Sequence, residues 1–281
     1  MEQSVRQALL ALYDTPDPSD RSRAIPGYDR DHAERTTRIV LQVTRDLGLG
    51  PSWGPDLEVT CLLHDIGRVG LDPQVFGTVF GVAQEAGLPV RVRDLHARYP
   101  HVAESEATAF FLELVTPALR ARGIPVNAAV IEHARMRMDF KGRLRQVMAE
   151  RRGDLASLGV AIRPWMEKVM LYYYYPQDMA GERDEVRLMG MALVACENFE
   201  AFNNQRRNRD YYGRPKPCLR DVFTALDRFE KDGLVSATVM VALRRLTAAR
   251  GLDEVIKESR GMAPEDVLPE EDLAFLRELA A

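Results

Sequence analysis

Apolar positions recur along most of this chain at the three- and four-residue spacing of helices, and no segment sustains the alternation of a half-buried strand. Val5, Ala8, Leu9 and Leu12 predict a short first helix, after which Pro16, Pro18 and Pro26 break the pattern and predict a loop over 14–27. A strong helix follows from Asp31, with Thr36, Ile39, Val40, Val43 and Leu47 on one face and Gly48 to stop it. His32 lies one turn ahead of Thr36 on that face and so points inward. Pro51, Gly54 and Pro55 then make a connector to an apolar run ending in Cys61-Leu62-Leu63-His64-Asp65-Ile66-Gly67-Arg68. Leu57, Cys61, His64 and Asp65 share a face there, and Gly67 is expected to terminate the helix.

Farther along, Gly70, Pro73, Gly77, Gly81, Gly87 and Pro89 interrupt every pattern, which predicts short helices and loops between Arg68 and Pro100. Pro100 is expected to open a helix that aligns His101, Ser105, Thr108 and Leu112 and closes at Gly123-Ile124-Pro125. The next helix carries Val126, Val130 and His133 inward. The charged segment 141–163 reads as an exposed helix and a loop, and 165–175 as an aromatic helix ended by Pro176. A long helix starts near Asp184 with Gly190, Leu193, Val194, Glu197 and Ala201 in one stripe. Gly213, Pro215 and Pro217 form a turn before two amphipathic helices, and 264–281 is a polar cap with a short helix at 272–279. The fold class is therefore all-α. It divides into an N-terminal helix and loop (1–26), a helical domain (27–250) and a helical extension (251–281) packed on the same domain.

Composition narrows the function classes. With 281 residues, 46% of them hydrophobic, the chain can bury a large core. A net charge of -4 argues against a dedicated binder of nucleic acid or of anionic membranes, which concentrates Lys and Arg. Cys61, Cys196 and Cys218 are few, odd in number and without zinc-type pairing, as expected of a reduced, cytoplasmic setting. No apolar run is long enough for a bilayer, and Met1 leads into Glu2-Gln3-Ser4 rather than a signal-type segment.

The chemistry lies in the histidines. There are five, and four of them, His32, His64, His101 and His133, fall on faces expected to point inward. Any one of these alone is better explained as a satisfied core histidine. Together with Asp65 and Glu197 they offer four imidazoles and two carboxylates, a set that suits two divalent transition metals in a helical bundle. Burying Asp65 beside an imidazole costs free energy unless a positive group sits opposite.

The succession His32, His64-Asp65, His101, His133 and an acidic residue at 197 resembles the ligand order of the HD superfamily of metal-dependent phosphohydrolases. It is closest to the HD-GYP branch, whose members hydrolyse cyclic di-GMP. Two stretches carry the closer likeness. His64-Asp65-Ile66-Gly67-Arg68 resembles the branch's HDIGK, and Glu197-Asn198-Phe199-Glu200-Ala201-Phe202 with the arginines, tyrosines and prolines of 206–217 resembles its D-x-Y-D-A-L segment. The GYP itself is missing: Ala134-Arg135-Met136-Arg137-Met138 follows His133, Glu197 stands for Asp, Arg68 for Lys, and Tyr28 for a third-metal Glu.

The resemblance implies a helical bundle around a binuclear centre of iron or manganese. One ion would rest on His32, His64, Asp65 and Glu197, the other on Asp65, His101 and His133, with Asp65 bridging. It further implies Asp65 and Arg68 as catalytic residues, Arg68, Arg206 and Arg214 as phosphate contacts, and a nucleotide or other phosphate ester as substrate. A homodimer is compatible with it; nucleic acid and membrane are not expected partners. A di-iron oxygenase and a degenerate signalling or binding module are the competing readings. Tyr172, Tyr173, Tyr174 and Tyr175 are expected mainly in core or interface packing, Cys61 and Cys196 as small core residues, and His96 as exposed.

Overall fold

The computed structural model describes residues 1–16, 19, 24–204 and 218–280. Over these the chain is all-α. In order run α1 (Gln3–Ala11), α2 (Arg30–Asp46), α3 (Gly54–Leu63), α4 (Pro73–Glu85), α5 (Val92–Arg98), α6 (Ala107–Ala121), α7 (Ala128–Met138), α8 (Phe140–Glu150), α9 (Arg152–Ser157), α10 (Pro164–Leu171) and α11 (Asp184–Asn203). After the next described stretch begins come α12 (Leu219–Lys231), α13 (Ala237–Ala248), α14 (Asp253–Ser259) and α15 (Glu270–Ala280). The loop after α1 contributes one antiparallel pairing, two residues on each side, Thr15 opposite Ile25 and Pro16 opposite Ala24.

Three helices set the frame. α2 packs on α3 along one side and on α11 along the other, while α10 rests against both α3 and α11. Of the inward stripe expected on α2, His32, Thr36, Ile39, Val40 and Val43 are buried, while Leu47 lies just past the helix end and is half-buried. At Gly190 on α11 a Cβ would come within 2.9 Å of Tyr172 Cγ, so the missing side chain is what lets α11 approach the residue that follows α10 so closely.

Several boundaries differ from those the pattern predicts. α4 runs unbroken through Gly77 and Gly81, because Val79, Val82 and Ala83 bury one face and that burial outweighs roughly 1 kcal/mol per glycine. The helix expected from Pro100 begins only at Ala107, after a 3-10 turn at Glu104–Glu106, which leaves His101 ahead of it in an exposed turn. Gly67 does not end α3 in a left-handed cap. The helix gives way at His64, and Ile66–Arg68 form a 3-10 turn. Near Gly67, a Cβ would meet Phe140 Cε2 at 2.9 Å, so the glycine is needed for close packing by α8. His96 is half-buried, not exposed. All four tyrosines of 172–175 are buried.

The extension at 251–281 supplies α14, against α2 and α11, and α15, against α12 and α13. Among the described residues no helix is long and apolar enough to cross a membrane.

Candidate metal centre

Where the N-terminal turn of α2, the C-terminal end of α3 and the second half of α11 meet, four side chains converge. His32, His64, Asp65 and Glu197 are all buried, and each offers a donor atom within 4.8 Å of the others. His32 Nε2 lies 3.6 Å and His64 Nε2 3.8 Å from Asp65 Oδ2. The two imidazole centroids are 5.3 Å apart.

Local structure explains each placement. His64 closes α3 with helical dihedrals, and its Nδ1 is 2.7 Å from the carbonyl oxygen of Cys61 in the preceding turn. Since a carbonyl only accepts, Nδ1 carries the proton and Nε2 keeps its lone pair. Asp65 departs from helical geometry (φ -101, ψ 8) and so turns its carboxylate back over the helix end. Glu197 is carried in by α11, whose stretch Ala192–Ala201 is buried at every position.

Arg68 occupies the same neighbourhood. Its Nη1 is 2.8 Å from Asp65 Oδ2 and 4.0 Å from Asp29 Oδ1, and its Nη2 is 3.8 Å from Glu197 Oε1. Nη2 also donates to the Tyr174 hydroxyl at 3.2 Å. Burial alone would depress the guanidinium, but Asp65, Tyr174, Asp29 and Glu197 outweigh it and hold its pKa well above the ordinary value. Behind His32, Glu200 pairs with Nδ1 of the ring and with Arg35. Four carboxylates, Asp29, Asp65, Glu197 and Glu200, thus face two guanidiniums, Arg35 and Arg68. A buried cluster of carboxylates is a setting in which a divalent cation is favourable.

Two observations test whether the donor set fits an ion. His64 Nε2 is buried with no hydrogen-bond partner among the described residues, which is costly unless something else engages it. Donors around one transition metal sit at about 2.0–2.2 Å, hence at most about 4.4 Å from each other. The observed spread therefore closes on an ion with small side-chain shifts. Two imidazoles and two carboxylates suit iron, manganese or zinc alike.

His101 and His133 lie outside this group. His101 is exposed beside Tyr99 and Phe110, so its expected inward position is corrected; the late start of α6 is the cause. His133 is buried on α7 but stands outside the group of four, hydrogen-bonded to the backbone at Ala129 and at Asp72. Burial pulls its pKa below the usual value, and those hydrogen bonds offset this only in part. With Tyr13, Tyr28, Asp29, Arg68 and Asp72 it lines a cavity of about 340 Å³. Arg206 and Arg214 fall outside the described residues. Cys61 and Cys196 are fully buried and their thiols are pushed up by desolvation, which leaves them unfit as nucleophiles.

Sequence reasoning missed Asp29, Tyr174 and Glu200. For Glu200 a signal existed: it follows Glu197 by three positions, on the same face of one helix. Asp29 and Tyr174 gave none, since a loop acid and one tyrosine in a run of four do not reveal their neighbours. Compared with protein-family models, curated proteins and solved structures, the chain matches none.

Proposed function

We propose that this chain is a metal-dependent phosphohydrolase of the HD type, in which His32, His64, Asp65 and Glu197 hold a divalent iron or manganese ion. The observation that carries the reading is the convergence of those four donors from three separate helices onto one buried point. One ion is proposed rather than two, because His101 is exposed and His133 stands outside the group of four donors. When bound, the ion would make hydroxide available near neutral pH and offset charge building on phosphoryl oxygens.

The chain's own residues supply the rest. Arg68 lines the cavity and presents forked N–H donors; exchanging a carboxylate oxygen for a phosphate oxygen keeps the guanidinium paired throughout. Tyr174 steadies that fork from the α10 side. The four donors are themselves buried, and burial from water strengthens the charge contacts there. The substrate proposed is a nucleotide phosphoester admitted through the cavity beside Arg68 and His133, with cyclic dinucleotides first in the panel.

One observation favours a second reading. Arg68 already neutralises part of the charge on Asp65 and Glu197, so the cluster could persist in a binding module that needs no ion. The test is elemental analysis of protein purified without chelator, followed by turnover of cyclic dinucleotides, linear dinucleotides and mononucleotides with Mn²⁺ or Fe²⁺. About one metal per chain is expected. His64→Ala and Asp65→Asn should each lower turnover more than about 100-fold, since even outer partners of metal ligands cost up to that much. A wild-type protein that takes up no metal removes the hydrolytic reading, as does full turnover in both variants.

A further inference from the structure

Two interlocked pairs build the interface between α2 and α11. α2 contributes His32 and, three residues on, Arg35; α11 contributes Glu197 and, three residues on, Glu200. Glu197 faces the convergence point, whereas Glu200 stands behind His32 with no exposed surface at all. Its Oε2 is hydrogen-bonded to His32 Nδ1. Its Oε1 accepts from Arg35 Nε at 2.7 Å and from Asn204 Nδ2 at 3.0 Å.

From this arrangement we infer that Glu200 is a positioning residue of the centre: it fixes the ring plane and tautomer of His32 so that Nε2 presents a lone pair toward Asp65 and Glu197. A ring flip would aim a C–H at the site and a tautomer change an N–H, and either would abolish ligation. His64 solves the problem with a backbone carbonyl, that of Cys61. His32, in the first turn of α2, takes a side-chain acceptor from a second helix instead. The donors from Arg35 and Asn204 lock the carboxylate itself, so the restraint passes from α11 into the ring. A carboxylate behind a ligating imidazole also raises its basicity toward a metal.

The inference rests on the metal reading of the centre, and the experiment separates the two. Metal-stripped wild type, Glu200→Gln and Glu200→Asp are titrated with Mn²⁺ by calorimetry, and the metal-free forms are examined by long-range ¹H–¹⁵N spectra of ¹⁵N-histidine. Wild type should show His32 as the Nδ1–H tautomer. Glu200→Gln should mix the tautomers and weaken Mn²⁺ about 10- to 100-fold, with partial rescue in Glu200→Asp. A merely structural carboxylate would lower the melting temperature and leave both readouts alone, and that result overturns the inference. Wild type that binds no Mn²⁺ overturns the metal reading, and this inference with it. Should Glu200→Gln not fold, the wild-type tautomer and Arg35→Gln decide. The Nδ1–H form with weakened Mn²⁺ binding in Arg35→Gln supports the inference; an Nε2–H form, or unchanged binding, overturns it.

Discussion

Gly67 sits where the ring of Phe140 needs its space. That ring is fully buried and stacks on Tyr174 with centroids 4.6 Å apart, so it cannot swing aside. Leu144 Cα closes the other side, 3.4 Å from where a Cβ would stand. Gly67→Ala should therefore cost about 1–3 kcal/mol, measured by urea denaturation, the range typical of overpacking. Because Asp65 and Arg68 flank this turn and Tyr174 bonds Arg68, the substitution should also weaken metal uptake. Unchanged stability would show that the turn can move. The sequence already marked this stretch through His64-Asp65 but assigned Gly67 to a helix cap, since a glycine after a helix usually serves that purpose. Its partner is 73 positions away in the chain, and local spacing holds no information about such a contact. His101 shows the opposite limit. Its apparent alignment with Thr108 and Leu112 depended on a helix starting at Pro100, and a start a few residues later removed it from the face altogether.

Among the elements, those with one clear buried face were the most legible. α2 matches most of its predicted stripe, with His32, Thr36, Ile39, Val40 and Val43 buried. α11 does not, since α2, α10, α12, α13 and α14 surround it and a stripe of five positions became a continuous buried stretch. Central helices lose the polar half of the pattern that reveals them. α7 is a milder case, and its start is set by chemistry legible in the sequence: Asn127 Oδ1 accepts from Val130 N at 3.1 Å. Asn127→Ala removes this cap and should cost about 1 kcal/mol, read as a lower urea midpoint with an unchanged slope. His133 sits a turn and a half beyond the cap and is held by its own backbone bonds, so metal uptake should stay at the wild-type level. A loss of metal in Asn127→Ala would instead place His133 among the ligands.

Across the whole molecule, the C-terminal extension reaches back to the helix that carries two acids of the centre. Arg260, at the end of α14, donates to Asn203 Oδ1 from Nη2 at 2.8 Å, and Asn203 is the last residue of α11. Its Nη1 pairs with Asp272 on α15, and Asp272 Oδ1 in turn accepts from Leu219 N at 2.6 Å, the first residue of α12. Arg260 and Asp272 are both buried, so each depends on the other for its charge. Asp272→Ala strands the guanidinium and should cost about 3–5 kcal/mol, whereas replacing both by Met and Leu should restore most of that loss, because a buried pair is expensive to break and cheap to exchange for apolar packing. The two variants separate stability from function. If the pair serves only to hold the fold, the double variant recovers its melting temperature and its Mn²⁺ affinity together. If Arg260 also anchors the end of α11 through Asn203, the double variant recovers stability while Mn²⁺ binding stays weakened, since Glu200 lies one turn before Asn203 and braces His32. The geometry favours the second outcome: the hydrogen bonds from Arg260 to Asn203 have no substitute in a methionine.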